Sequence, residues 1–252
     1  MNQKEALLNY TLNLGDNALI LGQRLSEWCG HGPVLEQDMA VTNIALDFIG
    51  QARSLLQYAA ELEGQGRNED DLAFLRDVWA FRNHLLLEQP NGDFAQTICR
   101  QFFFDAYNYF HYQGLLQSND EQLAAIAEKS LKEVTYHLRW SSEWMLRLGD
   151  GTELSHQKIQ KAVDTLWAYT GALLENDPAD QVLIDSGIAV DLSSIKPLWQ
   201  EKVNSVLKEA TLTLPESAWM QSGGRQGRHT EHLGYILADM QYLQRAYPGQ
   251  NW

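Results

Sequence analysis

The fold of this chain turns on residues 35–62, LEQDMAVTNIALDFIGQARSLLQYAAEL. Apolar side chains recur there at Met39, Ile44, Phe48, Ala52, Leu55, Leu56, Ala59 and Leu62. Steps of three and four, and their sums, place such residues along one face of an α-helix. The run ends at Gly64-Gln65-Gly66, and glycine supplies the left-handed conformation in which helices commonly stop. At about 1.5 Å per residue this helix is roughly 40 Å long, and one so long needs a partner for its apolar face.

Upstream, Leu7, Leu14, Leu21 and Leu25 form a similar stripe within a helix expected from Ala6 to Trp28, closed by Gly30-His31-Gly32-Pro33. Downstream, a polar connection from Gln65 to Asp71 leads into a shorter helical patch through Asn83, and Gln89-Pro90-Asn91-Gly92 breaks the chain. Asp93 then caps a helix running from Phe94 to about Leu116. Ser118-Asn119-Asp120-Glu121 has the S-x-x-E spacing of a capping box for a helix ending at Leu148, before Gly149-Asp150-Gly151. Two antiparallel pairs joined by one long crossover between helices 2 and 3 predict an all-α, ferritin-like four-helix bundle. Additional C-terminal helices follow, from Ser155 to Glu175, near Ser194 to Ala210, and from Thr230 to Ala246. No repeat and no Pro- or Ser-rich linker interrupts the chain, so a single domain over 1–252 is expected, with the core bundle at about 6–148 and the additions at 155–246.

Composition narrows the function. With 19 Lys and Arg against 33 Asp and Glu the formal charge is −14, which repels a phosphate backbone, so nucleic acid is not an expected partner. Cys29 and Cys99 show no CxxC spacing and are too few for a disulfide framework. No stretch approaches the eighteen or so apolar residues of a membrane span, and the N-terminal residues lack a basic segment followed by an apolar run. A cytoplasmic, membrane-free chain is the expectation. Eight tryptophans and ten tyrosines suit a partner surface as well as a core.

A helical bundle of this kind invites a di-iron test. Such a centre takes a Glu from each of two helices and a Glu-x-x-His pair from each of the other two. Among the histidines, only His156 has a Glu three residues earlier, Glu153, and that pair falls in the turn after the fourth helix. The fourth helix offers Glu133 and His137, four apart, which still share a face. The second helix, Asn43 to Gln51, offers no histidine. Asp105 on the third helix can face inward, as can Asp16 on the first. A single metal on Asp47, Asp105, Glu133 and His137 is one reading, and it would make the chain a stand-alone metal-dependent oxidase with a degenerate site. The other is a buried polar network in which Arg24, Arg53 or Arg139 neutralises the carboxylates, because unpaired buried charge costs several kcal/mol.

Two further segments carry possible binding chemistry. Ser222-Gly223-Gly224-Arg225-Gln226-Gly227-Arg228-His229-Thr230-Glu231-His232 places glycines and arginines before a helix start, where amides and the helix dipole hold anions. Its glycine spacing is not that of a P-loop, and a loop capped by Thr230 is the simpler reading; His229 and His232 at i, i+3 could also chelate a metal. The crossover stretch Ala80-Phe81-Arg82-Asn83-His84 offers a cation and backbone amides, and otherwise reads as a solvated helix end. Neither GxSxG, nor a Ser-His-Asp set, nor GxGxxG after a strand is visible, which leaves nucleophilic catalysis and hydride transfer without support.

The strings LGDNALILGQRLSEWCGHGP, NIALDFIGQARSLLQYAAELEG, LLLEQPNGDFAQTICRQFFFDA, YHLRWSSEWMLRLGDGTELS and GGRQGRHTEHLGYILADMQYLQR resemble the C-type subunits of the bacterial phenylacetyl-CoA epoxidases, also called ring 1,2-phenylacetyl-CoA monooxygenases. The resemblance covers essentially the whole chain. It implies a structural, non-catalytic, ferritin-like subunit in aerobic phenylacetate catabolism that pairs with a related catalytic partner, the A-type subunit. That partner would carry the di-iron centre and epoxidise the aromatic ring of phenylacetyl-CoA with O2, using NADPH electrons delivered by a separate reductase. Further oxygenase subunits are implied, and a homodimer of the isolated chain is conceivable. The resemblance also implies that Ala80, Phe81, Arg82 and Asn83, together with Gln181, Val182 and Leu183, lie near the acyl-CoA. No cofactor is expected in this chain itself.

Overall fold

The computed structural model describes residues 2–216 and 219–250. Among them every regular element is helical. The α-helices are α1 (Gln3–Ser26), α2 (Leu35–Glu63), α3 (Glu69–Phe74), α4 (Leu85–Glu88), α5 (Phe94–Leu115), α6 (Glu121–Gly149), α7 (Glu153–Leu166), α8 (Gln181–Asp185), α9 (Leu192–Glu209), α10 (Glu231–Met240) and α11 (Tyr242–Ala246). The class is all-α. Two long helices, a long connection, two more long helices and shorter additions follow one another in the ferritin-like order expected from the sequence. The chain gathers into two compact units, Met1–Pro90 with Gly223–Trp252, and Asn91–Ser222. The first boundary falls in the Gln89-Pro90-Asn91-Gly92 break.

In the first unit α1 and α2 form an antiparallel hairpin, with Gly15 facing Leu55 and Leu56 while Gly22 faces Ala45 and Ile49. A Cβ on Gly15 would come within 2.8 Å of the Leu56 side chain, so the missing methyl lets the two helices close. Asn2 caps α1 by accepting from the Glu5 amide at 2.8 Å, and Gly64 ends α2 at φ 71°. Leu7, Leu14, Leu21 and Leu25 are buried, as are Ile44, Phe48, Ala52, Leu55, Leu56 and Ala59. Met39 departs from that stripe. It is 57% exposed, on a second apolar face with Leu35, Leu46 and Ile49, because its step of five residues to Ile44 turns it about 140° away from the buried stripe.

In the second unit α5 and α6 pair antiparallel: Phe94 packs edge-on against Trp144 at 5.1 Å, while Asp105 meets Ser141 further along. Asp93 caps α5 as expected, accepting from Gln96 N at 3.1 Å. The cap of α6 is Asp120, whose carboxylate accepts from Leu123 N at 2.9 Å. Ser118, expected as the cap, instead donates its hydroxyl to Ile188 O at 2.7 Å and accepts from Asp120 N. Thr152 caps α7 in a capping box with Ser155, so this helix begins and ends earlier than the apolar pattern suggested, giving way to 3-10 turns through Leu174. The aromatic centre of this unit is Phe103, Trp167 and Trp199, with Trp199 Nε1 donating to Phe103 O at 3.0 Å.

Candidate functional site

Residues 81–84 leave the 3-10 turn Val78–Ala80 in an extended conformation. An extended segment inside a helical protein has no ladder to satisfy its peptide groups, so side chains must do it. Asn13, Asp16 and Asn17 stand at i, i+3 and i+4 on α1, each at most 2% exposed. Asn13 Nδ2 donates to Arg82 O at 2.7 Å, Asp16 Oδ2 accepts from Arg82 N at 2.8 Å, and Asn17 Oδ1 accepts from His84 N at 2.8 Å. A buried Asp carries a desolvation cost that here is met by Arg76, which donates from both terminal nitrogens to the two Asp16 oxygens. The same guanidinium reaches Ala80 O at 3.1 Å and lies 4.3 Å from the centre of the Phe81 ring.

The glycine-containing loop closes on this segment. Glu88, the last residue of α4, is fully buried. Its Oε1 accepts from Asn83 Nδ2 at 3.0 Å and contacts His229 Nδ1 at 2.5 Å. Its Oε2 accepts from Thr230 N at 2.8 Å and Thr230 Oγ1 at 2.6 Å. His229 Nε2 meets Phe81 O at 3.0 Å. A carbonyl oxygen only accepts, so Nε2 is the ring nitrogen that donates. A Cβ on Gly224 would fall 2.2 Å from Asn83 O, and one on Gly227 would fall 2.5 Å from Trp79 O; backbone packs on backbone at both positions.

These contacts revise three readings of the sequence. The helix start after the glycines does hold an anion, but that anion is the chain's own Glu88 carboxylate at the N-terminus of α10. His229 has both ring nitrogens engaged within the protein, which removes it from chelation with His232. The Arg82 and His84 amides, offered by sequence to an anionic ligand, are taken by Asp16 and Asn17. The cation remains. Arg82 is half-buried, and its Nη1 donates to the carbonyls of Trp79 and Phe81 at 2.8 Å each. Loss of hydration holds its pKa below the ordinary guanidinium value, with the Asp16 charge opposing that shift and Arg76 adding to it. Ala80 is half-buried, Phe81 and Asn83 are buried, and Trp79 is 73% exposed.

Gln181, Val182 and Leu183 lie in the other unit, on the short α8. Gln181 Nε2 is tied to Asp185 Oδ1 at 2.8 Å, Val182 is exposed, and Leu183 is fully buried. Of the three, Val182 presents an apolar side chain to the surface.

Asp105 and His137 share the buried interior between α5 and α6. The Asp105 oxygens accept from Gln101 Nε2 at 2.6 Å and Ser141 Oγ at 2.7 Å. Burial pushes this carboxyl up to about 7, against the opposing pull of His137 and of its two hydrogen bonds. Glu133 is half-buried on α6, and Asp47, also half-buried, belongs to the first unit. Among the described residues no three His, Cys, Asp or Glu side chains are grouped so as to hold a metal ion. One buried carboxyl with one neighbouring imidazole is too small a donor set for two irons. Of the neutralising arginines foreseen from the sequence, Arg24 bonds to Glu27 and Glu88 O, Arg53 bonds to Glu69, and Arg139 lies over the Tyr136 ring. The buried carboxylate Asp16 pairs with Arg76. His156 is held by Gly149 O at 2.8 Å.

The family model described as phenylacetic acid catabolic protein matches residues 1–252. This chain belongs to that phenylacetic acid catabolic family. Among the family's curated members, the C-type subunit of the 1,2-phenylacetyl-CoA epoxidase from Escherichia coli (strain K12) is 53% identical over 252 residues, all of both chains. No helix among the described residues is long and apolar enough to cross a membrane. The residues that shape the crossover in this family member, Asn13, Asn17, Arg76 and Glu88, were not singled out from the sequence. The i, i+3, i+4 run of Asn and Asp inside the otherwise apolar α1 was the available signal.

Proposed function

We propose that this chain is a structural, non-catalytic subunit of a phenylacetyl-CoA epoxidase. It acts in the cytoplasm, stabilises the di-iron, A-type catalytic partner, and lends its Ala80–Asn83 segment to the wall of the acyl-CoA pocket. The observation that carries this reading is identity of 53% along the full length of a protein named as the C-type component of that enzyme. The donor chemistry of the interior supports it, since Asp105, the buried carboxyl beside His137, is bonded to Gln101 and Ser141. The iron pair of the catalytic partner would supply the oxygen chemistry. This chain's own part is to hold the crossover backbone still, through Asn13, Asp16 and Asn17 on one side and His229 on the other.

Purification with and without the catalytic partner, followed by metal analysis, tests the proposal. Iron is expected to follow the partner, and the two chains are expected to leave a gentle affinity step together. Stoichiometric iron in the isolated chain, lost in His137→Ala, would instead establish the stand-alone oxidase.

A further inference from the structure

A buried carboxylate with several donors is a costly way to join two segments. Apolar residues of similar volume often join them with equal or greater stability, so stability alone does not account for such a set. Glu88 has such a set: Asn83 Nδ2, His229 Nδ1, Thr230 N and Thr230 Oγ1 all lie within 3.0 Å of its oxygens. Its backbone carbonyl is held as well, by Arg24 Nη2 at 2.7 Å. His229 passes the constraint on to Phe81 O, and Asn83 carries it two residues further along. The segment between them contains Arg82, whose guanidinium bonds backbone carbonyls and is half stripped of water.

We propose that Glu88 and His229 are positioning residues that set the acyl-CoA affinity of the assembled epoxidase by clamping the Phe81–Asn83 backbone, and with it the Arg82 guanidinium, against the 223–230 loop. This rests on the reading of Ala80–Asn83 as ligand-facing. Arg82 is the group that meets the anionic CoA portion, because the neighbouring Arg82 and His84 amides are already bonded to Asp16 and Asn17. Glu88→Gln keeps the shape but replaces the carboxylate by a neutral amide, so the charge-assisted bonds from Asn83 and Thr230 weaken and the clamp loosens. His229→Gln retains an amide donor and keeps part of the clamp, and His229→Ala removes it.

The test is steady-state epoxidation of phenylacetyl-CoA by the complete enzyme assembled from its purified components. Assembly is checked by co-purification, and folding of each variant by circular dichroism. Glu88→Gln and His229→Ala are expected to raise KM for phenylacetyl-CoA roughly tenfold with kcat within about twofold of wild type, and His229→Gln to fall between. Arg82→Ala is expected to raise KM at least as much. If Arg82→Ala raises KM while folded, assembled Glu88→Gln and His229→Ala leave it unchanged, the clamp is overturned and the pocket reading stands. If Arg82→Ala leaves KM unchanged, the ligand-facing reading beneath the clamp is what fails. A loss of kcat at unchanged KM in the Glu88 and His229 variants also overturns the clamp. Should Glu88→Gln not fold, the graded pair His229→Gln and His229→Ala decides the matter alone.

Discussion

Asp105 shows how burial alone changes what a residue is. An exposed aspartate stays charged at neutral pH, but here burial holds the carboxyl at about 7, so its folded value lies above the ordinary value of 3.8. The folded state therefore keeps a proton that the unfolded chain releases, and stability falls as pH rises through the window from about 4 to about 7. Asp105→Asn cannot ionise. It is expected to gain on wild type by up to about 4 kcal/mol across that window, less a constant cost for turning its amide toward Ser141. Thermal unfolding of both proteins between about pH 5 and pH 8 checks this, and parallel curves would refute it. Asp16 is the contrasting case, a buried carboxylate paired with Arg76. Asp16→Ala strands that guanidinium and the Arg82 amide in the interior, and a loss of about 3–5 kcal/mol in chemical denaturation is expected.

At the level of elements, the connections carry as much information as the helices. The 223–230 loop packs so closely that Gly224→Ala would place a methyl 2.2 Å from Asn83 O, a backbone atom with little room to move. A destabilisation of about 2 kcal/mol or more is expected, measurable by urea denaturation. The start of α6 separates two roles that sequence spacing merged. Asp120→Ala removes a cap and is expected to cost about 1 kcal/mol through the helix itself. Ser118→Ala leaves that cap in place and instead releases the hydroxyl tie to Ile188 O. Amide hydrogen exchange tells them apart: the first turn of α6 exchanges faster in Asp120→Ala, and the 186–188 stretch in Ser118→Ala.

For the whole molecule, kinship with an epoxidase component and the exposed apolar residues bear on the same question. Leu35, Met39, Leu46 and Ile49 remain on the surface of α2, and Trp79, Tyr235 and Tyr242 on the crossover, α10 and α11. Apolar residues grouped on the outer face of α2 suit a member of a larger assembly. Co-expression with the catalytic partner is accordingly expected to raise the thermal midpoint of this chain, because a partner that binds only the folded state stabilises it by mass action. An unchanged midpoint in the presence of excess partner would count against the proposed pairing.

The sequence by itself determined the helical class, the order of the long helices, the Asp93 cap, the stop at Gly64 and the family, since each rests on contacts within a few residues or on direct likeness along the chain. It did not determine which apolar face of α2 turns inward, and Met39, five residues before Ile44, lies on the face that stays outside. Nor did it show that the anion at the start of α10 is Glu88, that Arg76 rather than Arg24 or Arg53 answers a buried carboxylate, or that α1 dresses the crossover backbone. Each of those pairings joins residues from 60 to 142 positions apart. Periodicity reports only the local turn of the backbone, whereas the partner of a buried charge is set by which distant segments packing brings within hydrogen-bond reach.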